Sequence, residues 1–375
     1  MTEIVILGSG FAAVAAVREL RKNRVDAKIT VVSPQAELVY LPSLIWLPAK
    51  LRTASDLKVD LRAFFTRHQV NWLAGKVEKV ADAGRTVVTD QGPIHNDYLI
   101  IATGGRYLKK LTGIEHALIP CEGIAPVEAL CAKLDHMKSG TIAVGFSSNP
   151  KEPGAVRGGP MFEFLFGLDT LLRQQGRRDQ FKLIFFNPSL EPGQRLGGAA
   201  VAKLLQRMKK RNIETHLGHK PVRFEADKVV TEGGEFGADL ILFMPGLTGP
   251  AWLDNCELPR SEGGFIAANE YCQVQGLSRV YVAGDAGSYP GPAWLAKQAH
   301  QADLQAVAVA KNIAAQLKGQ THSVPFVAEL ACIIDSLDGG VLVYRRGERN
   351  FVLPQMRLLH WAKKRFEKIY LNKLR

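Results

Sequence analysis

Short apolar runs alternate with longer amphipathic stretches over most of the chain. Seven such runs predict strands, and the stretch 14–22 predicts an amphipathic helix. The predicted strands are residues 4–7, 29–32, 99–102, 141–145, 182–186, 240–244 and 280–283. Strands that alternate with helices are typical of parallel sheets. The pattern therefore predicts an α/β fold.

A glycine-rich turn follows the first predicted strand directly. Residues 8–13 read Gly-Ser-Gly-Phe-Ala-Ala, a G-x-G-x-x-A pattern between a strand and a helix. Gly8 permits the tight turn, Gly10 lets a pyrophosphate approach the backbone, and Ala13 keeps helix and strand close. The helix N-terminus favours the phosphate charge. The turn predicts a dinucleotide site, and the strand near residue 141 begins a second unit of this kind.

Three later strands end in small residues or in an aspartate. They are residues 97–105, which end in Ala-Thr-Gly-Gly, residues 239–246, which end in Met-Pro-Gly, and residues 279–285, which end in Ala-Gly-Asp. In this order behind the glycine loop, they resemble the flavoproteins with two dinucleotide-binding domains. That family includes disulfide reductases, type II NADH dehydrogenases and sulfide:quinone oxidoreductases. The resemblance spans essentially the whole chain and implies two Rossmann-like domains and bound FAD.

The resemblance also implies where FAD is held. The glycine loop would hold the pyrophosphate, the turn at Thr103 and Gly104 would close the FAD domain, and Asp285 would bind the ribityl chain. The acid that usually binds the adenosine ribose is missing, and Ser33 stands in its place. The positions expected to contact FAD are Gly8, Ser9, Gly10, Ala13, Ser33, Pro42, Ser43, Val77, Ala102, Thr103, Gly104, Gly284, Asp285 and Lys297.

The second unit distinguishes the branches of this family. A second G-x-G-x-x-G should follow residue 144 in an NADH-using member, but residues 145–153 carry Pro150 and Pro153 instead. Proline there opposes a helix start that could hold a pyrophosphate. No cysteine precedes Cys121, which argues against the disulfide reductases.

Four segments resemble sulfide:quinone oxidoreductases and the flavoprotein of flavocytochrome c sulfide dehydrogenase. They are residues 40–43, 159–164, 292–297 and 360–368. The expected activity is oxidation of sulfide, or a related sulfur compound, with electrons passing through flavin to membrane quinone. A type II NADH:quinone dehydrogenase and a flavoprotein without sulfide turnover that serves as a redox subunit stay open as alternatives.

The five cysteines are Cys121, Cys131, Cys256, Cys272 and Cys332, and none has C-x-x-C spacing. This spacing disfavours a zinc site, and we expect no metal. The resemblance implies two sulfur-reactive cysteines, of which Cys332 is one.

Arg157 stands at the position of the other implied cysteine. Two arrangements stay open: Cys332 pairs with Cys121, or Cys332 acts singly beside Arg157. Cys121 as a buried structural thiol is a further alternative.

Two charged residues, Glu163 and Lys297, are implied close to the flavin. As a pair, the lysine would stabilise the reduced anionic flavin and the glutamate would move protons. The alternative is a salt bridge between domains. With the two cysteines, these complete the expected catalytic set: Cys332, Cys121, Glu163 and Lys297. His300 and His322 carry no assigned role.

The C-terminus holds much of the positive charge. The formal net charge is +12, and residues 357–375 carry seven basic residues and one acid. Leu359, Ala362, Phe366, Ile369 and Tyr370 recur at helical spacing. A basic amphipathic helix with aromatic residues is typical of an interfacial helix on anionic lipid, and a helix docked on the domain is the alternative. Nucleic acid is disfavoured because no recognition motif accompanies the charge.

These features predict four regions: residues 1–106 and 236–318 as the FAD unit, 107–235 as a second unit with a degenerate NAD site, and 319–375 as a membrane-association region. We expect a peripheral, monotopic membrane protein on the cytoplasmic side, because the chain shows no signal peptide. The expected partners are membrane quinone, a small sulfur substrate and the anionic membrane surface. A homo-oligomer is compatible with the chain.

Overall fold

The computed structural model describes residues 1–320 and 323–375, so His322 lies outside the described residues. All seven predicted strands are present. The first part of the chain forms β1 (Glu3–Leu7), α1 (Phe11–Lys22), β2 (Lys28–Ser33), β3 (Glu37–Val39), α2 (Ala54–Leu57), β4 (Lys58–Asp60), α3 (Arg62–Arg67), β5 (Val70–Ala74), β6 (Val77–Ala81), β7 (Thr86–Thr89), β8 (Gly92–His95) and β9 (Tyr98–Ile101).

The middle of the chain forms β10 (Arg106–Tyr107), β11 (Ala117–Leu118), α4 (Ile124–His136), β12 (Gly140–Phe146), α5 (Gly159–Gln174), β13 (Phe181–Asn187), α6 (Gly198–Lys210), β14 (Glu214–Leu217), β15 (Pro221–Phe224), β16 (Lys228–Thr231), β17 (Gly234–Gly237), β18 (Leu240–Met244) and β19 (Leu247–Thr248). The last part forms β20 (Ile266–Ala267), β21 (Val280–Val282), β22 (Gly287–Ser288), α7 (Ala299–Leu317), β23 (Glu329–Asp335), β24 (Gly340–Arg346), β25 (Arg349–Val352) and α8 (Arg357–Asn372).

The first parallel sheet has the strand order β21-β9-β1-β2-β5. Ile4 on β1 faces Ile29 on β2 and Tyr98 on β9. Strand β21 joins β9 although the whole second sheet separates them along the chain. Helices α1 and α7 pack against each other over this sheet. The buried apolar residues of β1 and α1 give this unit its core.

The second parallel sheet has the order β11-β18-β12-β13-β14. We expected the first unit to resume at residue 236, and this boundary is wrong, because β18 pairs with β11 and β12. All five residues of β18 are buried and apolar, a pattern that suits the middle of either sheet. The chain returns to the first unit after β19, which pairs with β10.

The C-terminal region is a three-stranded antiparallel sheet, β23-β24-β25, packed against α8. Helix α8 has one docked face, where Glu367 is 2% exposed and pairs with Arg52. Its opposite face carries exposed apolar side chains: Leu358, Trp361, Phe366 and Ile369. The apolar residues that the sequence grouped into one stripe therefore lie on two faces of the helix, because Leu359 and Tyr370 are buried against the rest of the protein. Among the described residues, no helix has the length and apolar character needed to cross a bilayer.

Candidate functional site

A cavity of about 1,470 Å³ opens at the carboxyl ends of both parallel sheets and reaches α8. Of the expected site residues, these line it: Gly8, Ser9, Gly10, Ser33, Pro42, Ser43, Val77, Ala102, Thr103, Gly104, Cys121, Glu163, Gly284, Asp285, Lys297 and Cys332. Ala13 does not line it, because it lies 1% exposed in the core behind the loop. The prediction of Ala13 as a cofactor contact is therefore wrong, whereas its packing role fits this position.

The glycine loop has the geometry of a phosphate cradle. Gly8 has φ +104°, and a Cβ there would lie 2.4 Å from the carbonyl oxygen of Ala102, so only glycine fits. A Cβ at Gly10 would meet no heavy atom within 4 Å. The first turn of α1 carries no acidic residue and no side-chain cap, which leaves its N–H groups directed at the open space.

Two residues expected to bind FAD already have protein partners. The hydroxyl of Ser33 donates to the carbonyl of Gln35 at 2.8 Å and accepts from Nε1 of Trp72 at 3.1 Å. Asp285 pairs with the guanidinium group of Arg157. Ser43 is different: its hydroxyl is buried in the cavity wall and has no hydrogen-bond partner. This unpaired hydroxyl, the open loop at Gly10 and the size of the cavity fit a large polar cofactor such as FAD.

The thiol of Cys332 lies beside the start of α5. A Cβ at Gly159 would lie 3.7 Å from its Sγ atom, so the segment that begins with Arg157 borders this sulfur. Cys121 also lines the cavity. Burial raises the pKa of both thiols to about 12, and Lys363 opposes this shift at each sulfur. All five cysteines are free.

The expected pair of Glu163 and Lys297 does not form. Glu163 instead accepts from Nζ of Lys363, and from the backbone N–H of Asp335 at 2.8 Å. Burial raises the pKa of Glu163 to about 7, although Lys363 favours its charged form. Sequence reasoning missed Lys363, although it lies one turn from Leu359 and Glu367 on the docked face of α8.

Lys297 points in another direction. Its Nζ atom donates to the carbonyl oxygens of Gly287 at 2.6 Å and Asp285 at 3.3 Å, and it lies 3.8 Å from the centre of the Phe265 ring. Burial lowers the pKa of Lys297 to about 7. The amine therefore lies beside Asp285, at the wall where the ribityl chain is expected, rather than beside Glu163.

A polar network was also missed behind Glu163. Asp335 accepts from His360 at 2.6 Å and from the backbone N–H of Leu337 at 2.8 Å. Burial raises the pKa of Asp335, but these hydrogen bonds outweigh it and leave the pKa below its ordinary value. His360 and Lys363 both come from α8, and Lys363 lines the cavity, so the helix with the exposed apolar face also supplies a charged group to the cavity wall.

The comparison with known families agrees with this architecture. The family model for pyridine nucleotide-disulphide oxidoreductase matches residues 2–143 and 179–310. The chain belongs to the pyridine nucleotide-disulphide oxidoreductase family. It is an FAD-dependent oxidoreductase of that family with the two Rossmann-type sheets described above.

One curated relative and two solved structures show the range of this family. The sulfide-quinone reductase of Aquifex aeolicus is 25% identical over 402 residues, which cover 99% of this chain and 91% of the relative. The X-ray structure of the Aquifex aeolicus sulfide:quinone oxidoreductase superposes with a TM-score of 0.89, at 22% identity, covering 100% of this chain and 92% of that chain. The Plasmodium falciparum NDH2 structure in complex with NADH superposes with a TM-score of 0.77, at 12% identity, covering 100% and 96%.

The second unit of this family member lacks a helix start at the place where a nucleotide would dock. After β12 the chain stays irregular until α5 begins at Gly159. Asn149 fixes this segment by donating to the carbonyl oxygens of Leu247 and Gly263, each at 2.9 Å. A helix N-terminus next to the strand end is the usual pyrophosphate site, and residues 147–158 contain no helix.

Proposed function

We propose that this protein oxidises sulfide, or a related sulfur compound, and passes the electrons through FAD to membrane quinone. One observation carries the proposal: the wall of the cavity that fits FAD brings Cys332 next to the buried Glu163–Lys363 pair. The sequence similarity to a sulfide-quinone reductase supports the same reaction class. When bound, FAD accepts two electrons from the sulfur and returns them to an acceptor.

Glu163 is the candidate proton acceptor. The thiolate is the reactive form of a cysteine, and burial keeps Cys332 protonated near neutral pH. The charge of Glu163 raises the pKa of the Cys332 thiol, so the two groups interact. The pKa of Glu163, about 7, suits a group that takes and returns a proton. Lys363 would then balance the negative charge that moves between the two groups.

Replacement of Glu163 by Gln tests this role through the pH dependence. Glu163 is a base only above its pKa of about 7, so the wild-type rate of flavin reduction by sulfide should rise as pH increases through 7. Glu163→Gln should lower the rate by about 10²-fold and remove this rise. The ratio of wild-type to variant rates cancels the ionisation of sulfide itself. A ratio that stays constant from pH 6 to 8 would contradict a proton-transfer role.

The electrons would pass from the flavin to quinone beside α8. Ala362, Lys363, Phe366 and Tyr370 of this helix line the same cavity. The neighbouring exposed face carries Trp361, and lysines and arginines flank it. An exposed apolar face with basic flanks is typical of a helix that lies in the membrane interface. A lipid-dissolved quinone would enter the cavity beside this helix.

Vesicle binding tests this contact. Combined Leu358→Ser and Trp361→Ser substitutions remove two side chains that are 65% and 59% exposed, so the fold should persist. Binding to vesicles with anionic lipid should weaken at least about tenfold, because each side chain would otherwise bury its apolar area in lipid. Val222→Ser, at a 46% exposed position on β15, is the matched control and should bind as wild type. Equal vesicle binding by the wild type, the double variant and the control would contradict α8 as the membrane anchor.

Oxidation of NADH is the second candidate function, and the superposition on NDH2 with a TM-score of 0.77 favours it. A steady-state assay separates the two functions. Reduction of a soluble quinone should depend on sulfide and be negligible with NADH as the donor. Quinone reduction with NADH alone would replace the proposal by the second candidate.

A further inference from the structure

The cavity wall carries more cationic side chains than acidic side chains that pair with them. Arg157, Arg195 and Lys297 all line the cavity. Asp285 is the ion-pair partner of Arg157, and Glu152 is the acid that acts on Arg195 and Lys297. Glu152 is itself engaged, since its Oε2 atom accepts from Ser261 at 2.5 Å. Three cations therefore face two acids, and the wall has one more cationic than acidic group.

Arg195 is the cation with the fewest contacts. Within residues 1–320 and 323–375, its guanidinium group forms no ion pair or hydrogen bond, and its backbone carbonyl oxygen is the atom that accepts from Arg345. Its Nη1 atom is buried without a partner, and burial lowers the pKa of Arg195 to about 10. An unpaired buried charge is costly, so this arrangement points to an anion that the site is built to receive.

Arg157 belongs to the same group. A Cβ at Gly154 would lie 2.6 Å from Nη2 of Arg195, so the guanidinium group of Arg195 lies beside Gly154. Gly154 precedes Arg157 by three residues along the chain. Arg157 pairs with Asp285 and donates to the hydroxyl of Tyr107 at 3.4 Å, but its Nε atom is buried without a partner. Both arginines thus have unused donors close to the segment that borders Cys332.

We infer that Arg157 and Arg195 form a binding site for a small sulfur oxyanion, of the class of thiosulfate and sulfite, in the cavity that Cys332 also lines. The guanidinium fork matches the oxygens of an oxyanion, whereas sulfide has no oxygen to accept from it. The FAD pyrophosphate is expected at Gly8 and Gly10 in the first unit, whereas Arg195 follows β13 in the second. This inference rests on the proposed function, because it names a substrate class for the same sulfur site.

Alkylation of Cys332 in the FAD-loaded full-length protein tests the site without turnover. Iodoacetate and iodoacetamide modify the same atom and differ mainly in charge, so their rate ratio at Cys332, read by peptide mass spectrometry, reports attraction for an anion. Arg195→Gln should lower this ratio about tenfold, the loss expected for one charge-assisted contact. Thiosulfate should protect Cys332 saturably in the wild type and about tenfold less tightly in Arg195→Gln.

Control variants separate this result from a loss of folding. Arg349→Gln removes the same charge at an exposed position of β25 outside the cavity and should behave as wild type. Arg195→Lys keeps the charge without the fork and should fall between wild type and Arg195→Gln. Arg157→Gln should weaken protection in the same direction.

Two outcomes would overturn the inference. Equal protection by thiosulfate in wild type and both glutamine variants would show that the arginines hold no oxyanion. Loss of FAD from Arg195→Gln with unchanged protection would assign the guanidinium group to the cofactor phosphates. Failure of the proposed function is separate, since it would leave the wild-type flavin oxidised in sulfide whatever thiosulfate does.

Discussion

Cys332→Ser is expected to lower the rate of flavin reduction by sulfide by about 10³-fold or more, because the variant lacks the sulfur that we propose to react with the substrate. The loss should appear in flavin reduction itself, under anaerobic conditions, with FAD still bound. Serine is close in size to cysteine, and the site is a cavity wall, so the fold should be unchanged.

Two other cysteine variants sharpen this result. Cys131→Ser changes a partly buried thiol on α4 outside the cavity and should react as wild type. Cys121→Ser distinguishes the two arrangements that the sequence leaves open. A loss as large as that of Cys332→Ser would indicate a pair of reacting thiols, and a small loss would indicate that Cys332 acts singly. Full activity of Cys332→Ser would contradict the proposed sulfur site.

Gly10→Asp is expected to abolish FAD binding while the fold remains intact. Gly10 has φ −77°, which any residue adopts, and a Cβ there would touch no protein atom. The new carboxylate would lie where the FAD pyrophosphate is expected, and two like charges 4 Å apart cost on the order of 4 kcal/mol at an effective dielectric constant near 20. The FAD affinity should therefore fall about 10³-fold.

The matched control for this prediction is Gly198→Asp at the start of α6. A Cβ at Gly198 likewise meets no atom within 4 Å, and the residue lies outside the cavity. This variant should retain FAD, as judged by the flavin absorbance after gel filtration and by circular dichroism of the fold. FAD retained in both variants would place the pyrophosphate elsewhere.

The sequence predicted those parts of the site that depend on neighbouring residues. The glycine loop at Gly8 and the strand that ends at Asp285 are local patterns, because each couples a buried strand to the turn that follows it. Cys332 was predicted through its segment, and the structure places it beside Gly159. These features lie close together because the carboxyl ends of parallel strands meet at one edge of each sheet.

The parts that the sequence did not predict depend on contacts distant along the chain. The partner of Glu163 is Lys363, 200 residues later, and nothing local separates this lysine from the other basic residues of α8. Strand β18 was assigned to the wrong unit because its apolar residues fit either sheet. Arg195 lies within a turn of 3₁₀ type in a polar loop, and the burial of its Nη1 atom without a hydrogen-bond partner is visible only in three dimensions.

The most direct test is the anaerobic absorbance of the flavin in the purified protein, with sulfide and NADH added to separate samples. Sulfide should bleach the flavin band, a soluble quinone should restore it, and NADH should leave it unchanged. Bleaching by NADH alone would contradict the sulfur-to-quinone account and assign the protein to NADH oxidation. A bound flavin that neither donor reduces would contradict both assignments and identify a flavoprotein without sulfide turnover.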